Sequence, residues 1–250
     1  MADSTTNPLA ASAGARHRRP QEGAAGFRTA VRQGEEVMSL ACIVFDCDGV
    51  ILDSVPTKTR AFARLAEPYG AEARDRFVMY HMTHGGVSRY RKFAWFFSEI
   101  LGREITPQES EEWGKRFASY SLEEVKRCPL IPGVEKALTD WEGKLPMCVC
   151  SGSPTEELRS ILDLRKLSHF FRLILGSPPA KAQVLANIVR ELKLDPADVL
   201  MVGDASTDRD AAEEVGTQFY GRGPALRNDG TFPWEENLEG LSSWIGSHVR

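Results

Sequence analysis

Two carboxylates one residue apart, Asp46 and Asp48, follow directly on the apolar run Leu40-Ala41-Cys42-Ile43-Val44-Phe45. The run has the composition of a buried strand, and a buried carboxylate is costly unless something pairs with it. At the carboxyl end of a strand in an α/β chain, such a pair stands where ligands bind. The partner best suited to oxygen ligands is a hard divalent cation, magnesium foremost. Three other apolar segments end in polar residues. The segment 147–150 ends in Ser151-Gly152-Ser153, 172–175 leads through a loop to Lys181, and 198–202 ends in Gly203-Asp204, with Asp208 following. Parallel strands end at one rim, so a hydroxyl, an ammonium and two further carboxylates are expected to converge on Asp46 and Asp48. That set suits phosphoryl transfer. A carboxylate attacks phosphorus and forms an aspartyl-phosphate, dividing one difficult step into two. A second carboxylate protonates the leaving oxygen and then deprotonates water. A divalent cation and a lysine neutralise charge, and a serine hydroxyl with backbone N–H groups at a helix start binds phosphate oxygens.

These residues need a scaffold that brings distant strand ends together. After the first strand the chain passes a turn region at 49–56 and shows no convincing strand before 129. Helices are expected at 57–67, closed by Pro68-Tyr69-Gly70, and at 72–82. A third, at 88–101, carries Tyr90, Phe93, Phe97 and Ile100 as its apolar stripe. A fourth runs from Thr106, its N-cap, with Pro107 at the first helical position, to about Arg127. From Pro129 onward strand and helix alternate: helix 132–141, strand 146–150, helix 154–163, strand 171–175, helix 181–192, strand 199–202, helix 208–215, short strand 218–220 and a last helix 234–245. The alternation predicts an α/β fold with a doubly wound parallel sheet covered on both faces. The expected organisation is a disordered extension at 1–37, an α/β core at 38–55 and 129–250, and a helical cap at 56–128. The cap is too long for an ordinary crossover and is expected to act as a lid.

A chain of 250 residues, 42% hydrophobic and 26% charged, can bury one core and an insertion. Its net charge of −4 argues against a nucleic-acid binder, and no apolar run approaches the ~20 residues that span a bilayer. The cysteines, Cys42, Cys47, Cys128, Cys148 and Cys150, lack zinc-site spacing. Buried reduced thiols and a cytoplasmic location are expected. His17-Arg18-Arg19 has no apolar stretch behind it, so no secretory or twin-arginine signal is expected. Met38, just ahead of the first strand, is an alternative start.

In order and spacing, Asp46-Cys47-Asp48-Gly49-Val50, Ser151, Lys181 and Gly203-Asp204 with Asp208 resemble the four motifs of the haloacid dehalogenase superfamily. The likeness is to its helical-cap phosphatases, the phosphoglycolate phosphatase and β-phosphoglucomutase group, and covers about residues 40–222. It implies a Rossmann-like core and an Mg²⁺-dependent phosphatase working through an aspartyl-phosphate. The substrate it implies is a small phosphorylated metabolite, a sugar phosphate or a phosphorylated organic acid. By resemblance Asp46 is the nucleophile and a metal ligand, and Asp48 is the general acid/base with its backbone carbonyl on the metal. Ser151 and Gly152 would bind the transferring phosphoryl group, and Lys181 matches the third motif. Asp204 would be a metal ligand and Asp208 a ligand or its support. Gly49, Asp53 and Ser54 fit the mobile turn after the first motif. Ala182 follows Lys181 where relatives often carry proline. The family's dehalogenases and phosphonate hydrolases lack an aspartate two residues past the nucleophile, so Asp48 favours an oxygen leaving group. A phosphomutase would use the same residues.

Plainer roles compete at several positions. Ser151 can be a helix N-cap before Pro154, although Ser153 fits that role better; Lys181 can be a solvated helix start; Asp208 can cap the following helix, and both of its roles can coexist. In the cap, the polar, glycine-bearing segment 81–92 is expected to face the site, with Arg89, Lys92 and His84 reading the substrate. A solvated basic helix face is the alternative. Lys58, just past the turn, has no assigned role. A phospho-receiver module also joins aspartates, Ser/Thr, Lys and Mg²⁺ on a parallel sheet, but it needs neither a lid nor Asp48. A binding protein without turnover would not need every motif residue. The expected partners are a small phosphorylated substrate and Mg²⁺, with no nucleic acid and no membrane, and the chain is expected as a monomer or homodimer.

Overall fold

The residues of β1 (Cys42–Phe45) alternate between the two faces of a sheet, Cys42 and Val44 to one core, Ile43 and Phe45 to the other. The computed structural model describes residues 40–227 and 230–249; the extension expected at 1–37 lies outside them. Five more strands join β1: β2 (Met147–Pro154), β3 (Leu173–Ser177), β4 (Val199–Gly203), β5 (Gln218–Arg222) and β6 (Trp234–Glu235). All pairs are parallel, in the order β3-β2-β1-β4-β5-β6. The order reverses between β1 and β4, so a crevice opens at their carboxyl ends. The expected doubly wound sheet is present. One face is covered by α5 (Val134–Trp141), α6 (Thr155–Leu164) and α9 (Leu241–Gly246), through Leu138, Ile161 and Ile245 among others. The other face is covered by α7 (Lys181–Leu192) and α8 (Ser206–Val215), through Leu185, Ile188 and Ala211. All five cysteines are buried and unpaired.

Between β1 and α5 lie four helices: α1 (Val55–Ala66), α2 (Ala71–Thr83), α3 (Arg89–Glu99) and α4 (Pro107–Val125). They enclose a separate core of aromatic rings, Phe62, Phe77, Phe93, Phe96, Phe97, Trp113 and Phe117. Many of these rings meet edge to face, as Phe62 and Phe77 do at 5.2 Å. On α3 the buried face is Arg89, Lys92, Phe93, Phe96 and Phe97, and the expected Tyr90 is exposed. Phe96 takes its place, because the stripe is fixed by contact with Trp113, 5.1 Å away. The same face buries both cations, so the solvated basic face is not formed. At the start of α4 the Thr106 hydroxyl accepts from Glu109 N, and the Glu109 carboxylate accepts from Thr106 N.

Two expectations fail locally. The helix expected at 234–245 is the edge strand β6 followed by α9. Trp234 pairs with Gly221, the Asn237 side chain closes a turn on Glu239 N, and Glu235 accepts from Gly240 N. Strand β2 does not stop at Cys150 but continues to Pro154 with a register shift against β3 after Ser151. Pro154 rather than Ser153 then stands at the N-cap position of α6. Among the described residues no helix is long and apolar enough to cross a membrane.

Two substitutions separate local from tertiary support in the cap. Thr106→Ala removes one capping bond and is expected to cost about 1 kcal/mol in urea unfolding. Phe96→Ala opens the aromatic core and is expected to cost about 3–5 kcal/mol. Equal losses would show that the α4 cap carries more than a local bond.

Candidate active site

Asp46 leaves the end of β1 with its backbone N–H bonded to Val202 O of β4 at 2.9 Å. The chain then turns sharply, Ile51 N and Leu52 N both bonding Cys47 O. Gly49 makes the turn at φ +84°, and a Cβ there would run into the Asp204 carboxylate. Glycine is therefore required twice, by conformation and by space. Asp204 follows β4, and Asp208 lies in the first turn of α8. Lys181 opens α7.

These elements bring three carboxylates together. One oxygen each from Asp46, Asp204 and Asp208 lies within 4.8 Å of the others. Lys181 Nζ stands 2.5 Å from Asp208 Oδ1 and 3.2 Å from Asp46 Oδ1, all three residues being buried. The Asp46 contact is ionic only, since its Oδ1 accepts no hydrogen bond. Asp208 Oδ2 accepts from the N–H groups of Asp204 and Ala205, so this residue both caps α8 and joins the cluster. Burial pushes Asp46 up to about 7; Lys181 opposes this, while Asp208 and Asp48 add to it. Burial, then Asp208 and Asp46, raise Asp204 well above the carboxylate range. Burial works against the charge on Lys181, but Asp208 and Asp46 outweigh it and hold its pKa well above the usual value. An unsatisfied buried oxygen, an all-oxygen donor set and one ammonium against three carboxylates fit a hard divalent cation.

Asp48 has a different environment. It accepts from Ser54 Oγ at 2.6 Å, Ser153 Oγ at 2.9 Å and Lys58 Nζ at 2.5 Å, and Lys58 also donates to Ser153 Oγ at 2.7 Å. Burial raises its pKa, but the Lys58 charge and these bonds prevail and hold it at about 2. Its carboxylate stands outside the three-carboxylate cluster, which leaves only its backbone for a metal. Ser153, expected as a helix cap, and Lys58, given no role from sequence, are thus both partners of Asp48. Lys58 had a signal: with Ala61, Phe62 and Leu65 it shares the buried face of α1.

The cap closes over this rim. A cavity of about 510 Å³ is lined from below by Asp46, Asp48, Ser151, Gly152, Asp204 and Arg222, and from above by Lys58, Phe62, His81, Arg89, Lys92 and Phe117. The segment after α2 does face the core, and Gly85 O accepts from Thr207 Oγ1 at 2.9 Å. Its expected readers are placed differently. Arg89 lines the cavity but is paired with Glu157 of α6 at 2.6 Å and lies over the Phe117 ring. His84 is outside, stacked on Tyr80 with centroids 3.9 Å apart. His81 is inside instead, following Ala73 and Phe77 along the buried face of α2. Lys92 is buried, with Nζ 2.9 Å from His81 Nδ1. Burial, then the charges of Lys92 and Lys58, pull His81 down to about 3, so its ring is neutral. Arg222, beyond the expected end of β5, is a further cavity residue, and its Nε is buried without an acceptor among the described residues.

The haloacid dehalogenase-like hydrolase family model matches residues 40–216, from β1 through α8. Phosphoglycolate phosphatase of Pseudomonas putida is 26% identical over 186 residues, 72% of this chain and 68% of that protein. Fructose-1-phosphate phosphatase of Escherichia coli is 24% identical over 182 residues, 70% of this chain and 93% of that protein. Among solved structures, a β-phosphoglucomutase from Clostridium difficile superposes with a TM-score of 0.71 at 19% identity, covering 84% of this chain and 96% of that one. The strand-end carboxylates, the parallel sheet and a family match over most of the chain lead to one conclusion: the chain belongs to the haloacid dehalogenase-like hydrolases.

Proposed function

We propose that the protein is a divalent-metal-dependent phosphatase of a small phosphorylated metabolite. The observation that carries this is the convergence of three carboxylates, Asp46, Asp204 and Asp208, and the Lys181 ammonium beside the end of β1, with Asp48 held apart from them by Lys58, Ser54 and Ser153. Asp46 faces the carboxylate cluster and Lys181, where a phosphoryl group meets its neutralising charge. The negative charge of a bound phosphate ester raises Asp48 and lets it carry a proton. Asp46 attacks phosphorus, the ester oxygen departs with that proton, and Asp48, ionised again, takes a proton from the water that cleaves the aspartyl-phosphate. Ser151 and Lys181 hold the phosphoryl oxygens. Asp46, Asp204, Asp208 and the Asp48 backbone carbonyl would hold Mg²⁺, which when bound neutralises charge on the phosphoryl group. The cap over the cavity excludes water until it is needed. Relatives named for a phosphorylated two-carbon acid and for a sugar phosphate support a small substrate, and buried thiols fit a reducing, cytoplasmic setting.

The test is phosphate release from a panel of phosphorylated metabolites with and without Mg²⁺. Wild type is expected to turn over only with the metal, and Asp46→Asn to lose activity by about 10³-fold or more. A folded protein that interconverts phosphosugar isomers without releasing phosphate would show a mutase instead. Lys58→Met removes the main influence holding Asp48 down, so the Asp48 pKa rises. Asp48 must be ionised to take the proton from water, so the acidic limb of the kcat profile is expected at higher pH than in wild type, and an unmoved limb would separate Lys58 from that step.

A further inference from the structure

Four cations line the cavity, Lys58, Arg89, Lys92 and Arg222, and they differ in how they are compensated. Lys58 is paired with Asp48 and Arg89 with Glu157, while Arg222 sits at the core rim, where its charge acts on Asp204 although its Nε has no acceptor among the described residues. Lys92 has no carboxylate in ion-pair contact among the described residues; Asp48 and Asp204 act on it only from a distance. Its Nζ donates to His81 Nδ1 at 2.9 Å and makes a long contact of 3.5 Å to His81 O. The Phe62 ring lies beneath it at 5.4 Å. His81 is committed on both sides, since Nε2 meets Thr59 Oγ1 at 3.1 Å. An ammonium has three donors, and a buried charge left unpaired is costly. Lys92 is nevertheless 2% exposed and lines the cavity on the cap side. Burial, then the charge of Lys58, pull its pKa down to about 7, a cost that an anion beside it would reverse.

We propose that Lys92, oriented by His81, binds a carboxylate on the far end of the substrate, so that the protein acts on a short phosphorylated carboxylic acid rather than on a sugar phosphate. This rests on the reading of the cavity as a phosphatase site. With the phosphoryl group at Asp46, the rest of the molecule extends toward the cap. There it meets Phe62, Met82, Val87 and Phe117. The polar groups of that wall are occupied: Arg89 by Glu157, His81 by Lys92 and Thr59, and Thr83 Oγ1 by its own helix. A polyhydroxylated sugar would turn several hydroxyls toward rings that cannot bond them. A carboxylate needs only the one spare ammonium, in a charge-assisted bond.

The experiment compares carboxymethyl, 2-carboxyethyl and 3-carboxypropyl phosphate with alcohols in which CH₂OH replaces the carboxylate, alongside glucose 6-phosphate and p-nitrophenyl phosphate. In wild type one of the acids is expected to exceed its alcohol in kcat/KM by roughly 10- to 100-fold. Lys92→Met is expected to raise KM for that acid by a similar factor, with KM for the alcohol unchanged. Lys92→Arg retains a charge and is expected to retain some of the preference. Lys92→Met also removes a buried unpaired charge, so its melting temperature is expected to equal or exceed that of wild type. Turnover of p-nitrophenyl phosphate with equal use of acids and alcohols by wild type would overturn the inference alone. So would a Lys92→Met loss equal for acid and alcohol. No phosphate release from any ester with Mg²⁺ would overturn the phosphatase reading, and this inference with it.

Discussion

Carboxylate charge buried at the end of β1 is the constraint around which the molecule is arranged. An ionised group taken out of water costs several kcal/mol unless it is compensated on the spot. A strand end supplies only its own two side chains, so compensation has to arrive from elsewhere in the chain. The sheet order solves this: β2 and β4 flank β1, and α7 and α8 pack together against one face. Their starts therefore fall beside Asp46, bringing Lys181 and Asp208 from far along the sequence. Glycine at 49 lets the Asp204 carboxylate approach the turn. Asp208 shows how tightly the elements are shared, because one side chain caps α8 and pairs with Lys181.

The second aspartate is compensated from the other direction. Lys58 belongs to α1, the first helix after the turn, and its ammonium reaches back to Asp48 and across to Ser153 on β2. A helix that packs in the aromatic cap core thus also sets the charge of a group in the α/β core. Two further links join the same regions, Arg89 to Glu157 and Thr207 to Gly85. Closure of the cavity and the electrostatic state of Asp48 are in this way consequences of one arrangement. A shift of α1 large enough to open the cavity would also withdraw Lys58 and let Asp48 rise toward the ordinary carboxylate range.

The sequence exposed most clearly what local pattern determines. The alternation of strand and helix, the carboxylates after β1 and β4 and the Thr106 cap all follow from spacing within one element. What stayed hidden depends on partners far away. Arg89 reads as a substrate contact until Glu157, on α6, is placed against it. Ser153 reads as a helix cap until the strand is seen to continue past it. Lys58 falls on the buried face of an amphipathic helix, 58-61-62-65, whereas His81 follows Ala73 and Phe77 on α2, whose other faces expose Met79 and Met82. Periodicity marks the first face but not the second, because apolar side chains surround α2 and tertiary packing decides which are covered. Tyr90 was misplaced for a related reason: period gives a stripe, but Trp113 decides which edge of it is covered.

The loop between α2 and α3 meets the core through its main chain, and this separates closing from recognition. Gly86 sits at φ +69°, and a Cβ on it would collide with Thr207 Oγ1; a Cβ on Gly152 would collide with Gly86 O. Two glycines on opposite sides thus let the loop rest directly on the rim. Contacts made by main chain are insensitive to the side chains nearby. His81 and Lys92, on the helices flanking that loop, are absent from these contacts and line the cavity. Substitution at those two positions can change what the cavity accepts without changing how the loop sits. Arg89 lacks that freedom, since its guanidinium is already one of the links between cap and core.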